Sequence, residues 1–397
     1  MPPSRPKVSR RLAGGLSARR LRRRHKGRWP APQTYVPGNL LTLYTEGGAC
    51  YDAMIEAIDG AETCVHMETY LLRADAVGWR FAEALAAAAA RGVEVAFMYD
   101  AVGALGVGEA FERFLDEAGV GRQVYHPLLN WRWDRITRRN HRKILAVDGA
   151  TAFVGGMSIA ALHAPVAEGG EGWRDTHLRV RGPAALSLDR LFREEWVAQG
   201  GAPLLAPEAP QPVALGSAVR VMENRRWAGR GFIRRAYMEA LAHAQERVWI
   251  TNSYFLPDRR FLRALRRAAA RGVDVRVILA GVSDVPAIRH AAVHLYGRLL
   301  KAGVRVFEWT ESVLHAKTAV VDQRWSTIGT YNLDRRSLSA NLEVNAMVLD
   351  AGLASELAQV FEADQGRCEE QTLDQWRRRG LFERARSWFW WLFRAWL

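Results

Sequence analysis

The sequence predicts an α/β fold made of two similar halves, and three observations carry that expectation. A four-element pattern of helix, strand, helix and strand occurs twice. A histidine motif follows each copy at a comparable distance. A nearly uncharged stretch rich in proline, glycine and alanine, 200–215, separates the two.

The first copy runs from MIEAIDGAETCVHMETYLL (54–72) to ALAAAAARGVEVAFMYD (84–100), and the second from YMEALAHAQERVWITNSYFL (237–256) to ALRRAAARGVDVRVILA (264–280). Each reads as an amphipathic helix, a short strand, an Ala-rich helix and an apolar strand. The steps Arg91-Gly92 and Arg271-Gly272 place glycine just past a helix end, where a left-handed residue is wanted. The expected organisation is a basic, disordered tail at 1–29, a first lobe at 30–200, a linker at 201–215, a second lobe at 216–368 and a C-terminal segment at 369–397.

Charge is distributed unevenly. Residues 1–29 hold eleven Lys/Arg and no acid, and residues 376–397 hold six Arg against Glu383 alone, so a net charge of +14 leaves the body near neutral. A nucleic-acid enzyme carries its basic stripe on the folded surface around its site. Basic ends flanking a neutral body fit attraction to anionic lipid headgroups instead. Three widely spaced cysteines, Cys50, Cys64 and Cys368, give no disulfide framework and no zinc-cluster spacing. The most apolar window, about 144–163, contains Asp148 and paired glycines and reads as core strand plus loop rather than a membrane span. No apolar stretch follows the basic N-terminus, so no secretory signal is expected.

The motif after the first copy is His141-Arg-Lys143-Ile-Leu-Ala-Val-Asp148, then Gly155-Gly156-Met157-Ser158. After the second it is His315-Ala-Lys317-Thr-Ala-Val-Val-Asp322, then Gly329-Thr330-Tyr331-Asn332. Two HxKxxxxD units in two similar halves resemble the phospholipase D superfamily. The resemblance implies two lobes, each a mixed β-sheet flanked by helices, packed with pseudo-two-fold symmetry around one active site.

The chemistry can be read from the residue types. Strand alternation puts His and Lys two residues apart on one face. A phosphodiester needs a nucleophile, a proton donor for the leaving alkoxide, and positive charge on the non-bridging oxygens. Two facing HxK units supply two imidazoles and two ammonium groups with no metal or other cofactor. The catalytic candidates are therefore His141, Lys143, Asp148, His315, Lys317 and Asp322, although the resemblance gives the two motif aspartates a structural place at the strand end. It also implies that Asn332 and, less typically, Ser158 donate to the phosphate, and that Asp175 and Glu343 orient the histidines. Glu343 follows His315 by 28 residues and Asp175 follows His141 by 34. His66, His163, His177, His290 and His294 stand outside the motif and are read as non-catalytic, and Asp100 is read as a loop residue.

The flanks separate the possible substrates. In 381–397, LFERARSWFWWLFRAWL, a helical projection puts Arg384, Ser387 and Arg394 on one side and Phe382, Ala385, Trp388, Phe389, Leu392 and Trp396 on the other. That pattern suits a helix lying in a membrane surface; packing against its own protein is the alternative. From about Tyr35 to Asp350 the pattern, including HRKILAVD and GTYNLDRRSLSANLEVN, is similar to bacterial cardiolipin synthases of the form without N-terminal transmembrane helices. The resemblance implies a phosphatidyltransferase acting on phosphatidylglycerol, with phosphatidylglycerol or phosphatidylethanolamine as donor, through a phosphohistidine. It implies a peripheral place on the cytoplasmic face of the bacterial inner membrane. Either histidine can be the nucleophile on these grounds, and His141 is favoured. The competing reading is a phospholipase D-type hydrolase or nuclease using water.

Overall fold

The computed structural model describes residues 31–127, 137–224 and 231–397. The basic tail expected at 1–29 lies outside the described residues.

The first half contains β1 (Val36–Tyr44), α1 (Gly47–Asp59), β2 (Cys64–Thr69), α2 (Ala76–Ala90), β3 (Glu94–Asp100), α3 (Glu109–Glu117), β4 (Gly121–Tyr125), β5 (Ile144–Val147), β6 (Thr151–Gly155), β7 (His177–Arg181) and α4 (Ala185–Ala198). The second half begins with β8 (Ser217–Asn224), α5 (Phe232–His243), β9 (Arg247–Asn252), α6 (Arg259–Ala269), β10 (Asp274–Val282), α7 (Pro286–Leu300) and β11 (Arg305–Val313). It continues with β12 (Lys317–Val321), β13 (Trp325–Gly329), α8 (Arg335–Ser339), β14 (Glu343–Leu349), α9 (Ala351–Gln365), β15 (Cys368–Gln371), α10 (Leu373–Arg378) and α11 (Leu381–Leu392).

The repeated four-element pattern is thus α1-β2-α2-β3 and α5-β9-α6-β10. Gly92 and Gly272 both take φ +88, the left-handed stop that lets Val93 N–H reach Ala88 O and Val273 N–H reach Ala268 O. The arginines of the same steps do a second job. The Arg91 guanidinium donates to Ile58 O (2.9 Å) and that of Arg271 to Leu241 O (2.8 Å), capping the free carbonyls of α1 and α5.

All fifteen strands join one sheet in the order β15-β11-β10-β9-β12-β13-β14-β8-β1-β7-β6-β5-β2-β3-β4. Read outward from the β8–β1 pair, the two arms repeat one topology, and β1 meets β8 antiparallel. A two-fold relation between the halves follows. Within each arm one parallel set (β2-β3-β4, β9-β10-β11) adjoins antiparallel strands. The sheet bends so that the arms also face each other. Ile144, Val154, Leu178 and Val180 of the first arm share one buried cluster with Val320, Ile328, Val344 and Ala346 of the second. Burying such side chains stabilises the junction by about 1.5–3 kcal/mol each, so the halves are held by core packing.

The stretch 201–213 has no helix or strand. The sheet outlasts the expected second lobe, because Cys368–Gln371 pairs with β11 as an edge strand. The last helix, α11, packs on α7 through Ser387, Trp390 and Trp391, with Trp391 stacked on His294 at 4.7 Å. Ser387 is therefore buried rather than on a solvated face, and the alternative of packing on its own protein holds for one side of this helix. Phe382, Trp388, Phe389 and Leu392 remain exposed on the other, and Trp396, in the turn beyond the helix, is exposed as well.

Candidate active site

Each motif histidine is placed by the end of a core strand. Ile144–Val147 and Lys317–Val321 are fully buried strands, and the histidines sit in extended chain just before them. There each segment pairs with the other half of the molecule. His141 N–H donates to Leu342 O (3.0 Å) and Leu342 N–H to Arg139 O (3.0 Å); correspondingly His315 N–H donates to Arg174 O (2.8 Å) and Arg174 N–H to Val313 O (2.9 Å). Leu342 precedes Glu343 and Arg174 precedes Asp175, so these bridges bring each carboxylate to the histidine of the opposite half. His141 Nδ1 lies 3.0 Å from Glu343 Oε2, and His315 Nδ1 lies 2.7 Å from Asp175 Oδ2. Sequence order, in which Glu343 follows His315 and Asp175 follows His141, does not reveal this crossing.

With Nδ1 of each ring committed to a carboxylate, Nε2 is the nitrogen available for chemistry. The two ring centroids are 6.4 Å apart, inclined at 71°. Both line one cavity of about 260 Å³ together with Ser158 and Asn332. Lys143 and Lys317 are buried and each donates to the carbonyl of its own motif histidine, Lys143 at 2.8 Å. Burial, then the neighbouring ammonium, draws Lys143 down to about 7; burial draws Lys317 down to about 8. Burial and then the lysines push both histidines well below the usual imidazole range, so both rings are neutral at neutral pH. Burial raises the Glu343 carboxyl to about 7.

Asn332 accepts from Ser253 Oγ through Oδ1 (2.9 Å), which leaves its amide N–H groups for a ligand. Ser158 is buried at the matching place, its carbonyl held by Tyr51 OH at 2.6 Å. The paired glycines before Ser158 follow from crowding, since a Cβ on Gly156 would collide with the Asp175 carboxylate.

The motif aspartates are not among the residues that line the cavity. Asp148 and Asp322 sit at the far ends of the motif strands, each with positive φ (52 and 55). Asp148 accepts from the backbone of Glu62, Thr63 and Cys64 and from Thr63 Oγ1, and Asp322 accepts from the backbone of Gln245, Glu246 and Arg247. Burial pushes the Asp148 carboxyl up, but the donated bonds outweigh it and hold it low. Both tie the motif strand to the start of β2 or β9, a contact of the structural kind that the resemblance implies for them. The spacing that makes the motif recognisable is set by strand length.

Several cavity residues carried no motif: Tyr70, His163, Trp173, Tyr254, Asp284, Asp334 and Arg336. Tyr70 and Tyr254 meet His141 and His315 edge-on. Asp334 and Arg336 follow Asn332 directly in NLDRRS, a signal that was available. His163, read as non-catalytic, is buried 5.6 Å from the His315 ring, with Nδ1 3.7 Å from Asp175 Oδ2. Asp100 is a buried loop organiser, accepting from Val102 and Asn140 N–H and pairing with Arg139.

Among the described residues two clusters have metal-ligand composition: Cys64, His66 and Asp189, and His163, Asp175 and His315. In the first, His66 is already held at both nitrogens, by Asp189 (2.6 Å) and Glu94 (3.3 Å).

Two imidazoles and an amide thus line one cavity, with a buried lysine two residues after each histidine. The family model described as cardiolipin synthase, PLD-like domain, matches residues 54–161 and 237–365. The chain belongs to that family. Cardiolipin synthase 2 of Bacillus anthracis is 34% identical over 355 residues, covering 86% of this chain and 67% of the relative. Cardiolipin synthase A of Pseudomonas aeruginosa (strain LESB58) is 35% identical over 335 residues, covering 83% and 67%. The chain thus spans about two thirds of these relatives. Among solved structures, phosphatidylserine synthase of Haemophilus influenzae Rd KW20 superposes with a TM-score of 0.70 at 15% identity, covering 96% of this chain and 99% of that one. At that identity the likeness concerns the fold alone.

Proposed function

We propose that the chain makes cardiolipin by transferring a phosphatidyl group from one phospholipid onto phosphatidylglycerol. The observation that carries the reading is the histidine pair, 6.4 Å apart in one cavity and each oriented by a carboxylate of the other half, in a chain whose relatives are named cardiolipin synthases.

In the first step Nε2 of neutral His141 attacks the donor phosphorus, forming the N–P bond as the P–O bond to the leaving alcohol breaks. His315 delivers the proton to that alkoxide. Its proton affinity is low in the empty site because of burial and the lysines. A phosphate anion lying between Lys143 and Lys317 offsets both effects, so the acid form arises when substrate is bound. In the second step His315 takes the proton of the incoming glycerol hydroxyl, which attacks phosphorus and releases His141. Asn332 and Ser158 hold the non-bridging oxygens.

Membrane attachment belongs to the same proposal. Among the described residues no helix is long and apolar enough to cross a membrane. The free side of α11, with Phe382 at 76% exposure, its arginines, and Trp396 just beyond it at 79% suit the interface of an anionic bilayer on the cytoplasmic face of the inner membrane. Trp396 also lines the catalytic cavity, which places its mouth beside that surface.

Incubation with phosphatidylglycerol vesicles in EDTA, followed by lipid chromatography, tests the reading. Cardiolipin plus glycerol is the expected product pair. Phosphatidic acid alone would replace transfer with hydrolysis, and DNA cleavage without a lipid product would make the chain a nuclease.

A further inference from the structure

His163 is a buried imidazole that the proposed reaction does not use. It closes a short 3-10 turn, Ala161–His163, beyond the Gly156–Ser158 loop, and is 3% exposed. Its Nδ1 has no hydrogen-bond partner among the described residues. A buried polar atom left unpaired is unfavourable, so the arrangement calls for a ligand. Asp175 Oδ2 lies 3.7 Å from it, too far for a hydrogen bond. The same oxygen holds His315 Nδ1 at 2.7 Å. One donor atom from each of the three residues lies within 4.8 Å of the other two.

We infer that His163, Asp175 and His315 form a zinc site which, when filled, switches the enzyme off. Two imidazole nitrogens and one carboxylate oxygen are a donor set of open zinc sites, with bonds of about 2.0–2.2 Å and a fourth position left for water or substrate. Three atoms bound to one ion at that length sit no more than about 4 Å apart, so small side-chain rotations close the set. The fourth position opens on the catalytic cavity, which all of His163, His315 and Trp173 line. Trp173 walls the cluster, its ring 5.5 Å from His163 and 5.8 Å from His315.

The choice of ion follows from the surroundings. Lys143 and Lys317 oppose any dication, so an ion held by charge alone, such as magnesium or calcium, is disfavoured. Zinc bonds imidazole strongly enough to compete. An ion here takes His315 and its orienting carboxylate together, and a metal-bound ring cannot relay a proton to the leaving alcohol. The opposite half-site cannot do the same, because the place next to Glu343 is filled by the Thr330 hydroxyl at 2.5 Å.

The test uses the full chain freed of metal with EDTA and then dialysed. Zinc is titrated against a chromophoric chelator for the wild type, His163→Gln and His163→Phe, with circular dichroism melts as a check on folding. Turnover is followed over the same zinc range on phosphatidylglycerol vesicles and on a soluble phosphodiester, each protein scaled to its own rate in EDTA. We expect one strong zinc per wild-type chain, inhibition that tracks its occupancy and reverses with EDTA, and no inhibition by millimolar magnesium. Both variants should bind zinc at least about tenfold more weakly, a loss typical of a disturbed ligand set, with inhibition shifted by the same factor. X-ray absorption of the zinc-loaded wild type should give two imidazoles. Absence of a strong site in the wild type, no imidazole at the metal, or variants that bind and are inhibited at wild-type concentrations would overturn the inference. If no cardiolipin forms at any zinc level, the binding arm still decides this site, separately from the lipid reading.

Discussion

Around His141 the wall consists of Glu343, the Thr330 hydroxyl and the Tyr70 ring; around His315 it consists of Asp175, His163, Trp173 and Tyr254. The backbone frame of the two is the same, each histidine bridged to the segment that carries the opposite carboxylate. The comparison separates what the fold fixes from what neighbours tune. Duplication fixes where Nδ1 points and how far apart the rings stand. The neighbours then differ: a raised carboxyl with a hydroxyl donor on one side, and on the other a carboxylate bonded to His315 with a second imidazole 3.7 Å away.

The largest effect should come from breaking the pair itself. His141→Ala and His315→Ala should each lower turnover by about 10⁴-fold or more, because members of one catalytic unit fail together, with unfolding midpoints near wild type. Substantial activity in either would separate the halves. The carboxylates sharpen the comparison. Asp175→Asn should cost about 10²–10⁴-fold, as for other carboxylates that orient a catalytic histidine. Glu343→Gln should cost less, about 10–100-fold, since burial already holds that carboxyl near pH 7 half-protonated. Equal losses would contradict the asymmetry.

A buried two-pronged ion pair braces the His315 side. Arg174, beside the His315 bridge, makes a two-pronged ion pair with Asp364 of α9 (2.9 and 2.6 Å), both groups buried. Arg174→Met should destabilise by about 3 kcal/mol by stranding Asp364, measured by urea denaturation. Acid should act through buried neutral imidazoles. Burial lowers His177 and His163 from 6.5 to about 3, so the folded state binds fewer protons than the unfolded one across that window and stability falls as pH drops from 6.5 toward 3. His177→Phe should lose part of that acid sensitivity, read as the difference in melting midpoint between pH 7 and pH 4. The smallest effect concerns the free side of α11. Phe382→Ser with Trp388→Ser should weaken sedimentation with anionic vesicles about tenfold while sparing cleavage of a soluble phosphodiester.

Much of this was legible in the sequence. Helix ends at Arg-Gly, buried motif strands and the two HxK units are local patterns, and they gave the fold class, the repeat and the two histidines that line one cavity. The crossing of Asp175 and Glu343 was hidden because it depends on how two arms of one sheet face each other, which no spacing encodes. The structural place of Asp148 and Asp322 could be stated only through family resemblance; their backbone clamps to β2 and β9 involve residues 75 to 86 positions away. His163 escaped because a histidine outside the motif looks the same as a buried core one until the fold places it beside Asp175. The amphipathic reading of α11 located its exposed aromatics but not the packing of Ser387, Trp390 and Trp391 on α7, since a helix rich in tryptophan has two faces able to bury themselves.

Counting phosphoryl groups tests the shared site most directly. The chain is reacted with a labelled phosphodiester bearing a good leaving group and quenched during turnover. The account predicts at most one label per chain, carried on His141. It also predicts that His315→Ala still takes the label, because that leaving group needs no proton, but releases it slowly. Two labels per chain, one on each motif histidine, would contradict a single phosphorus served by both rings.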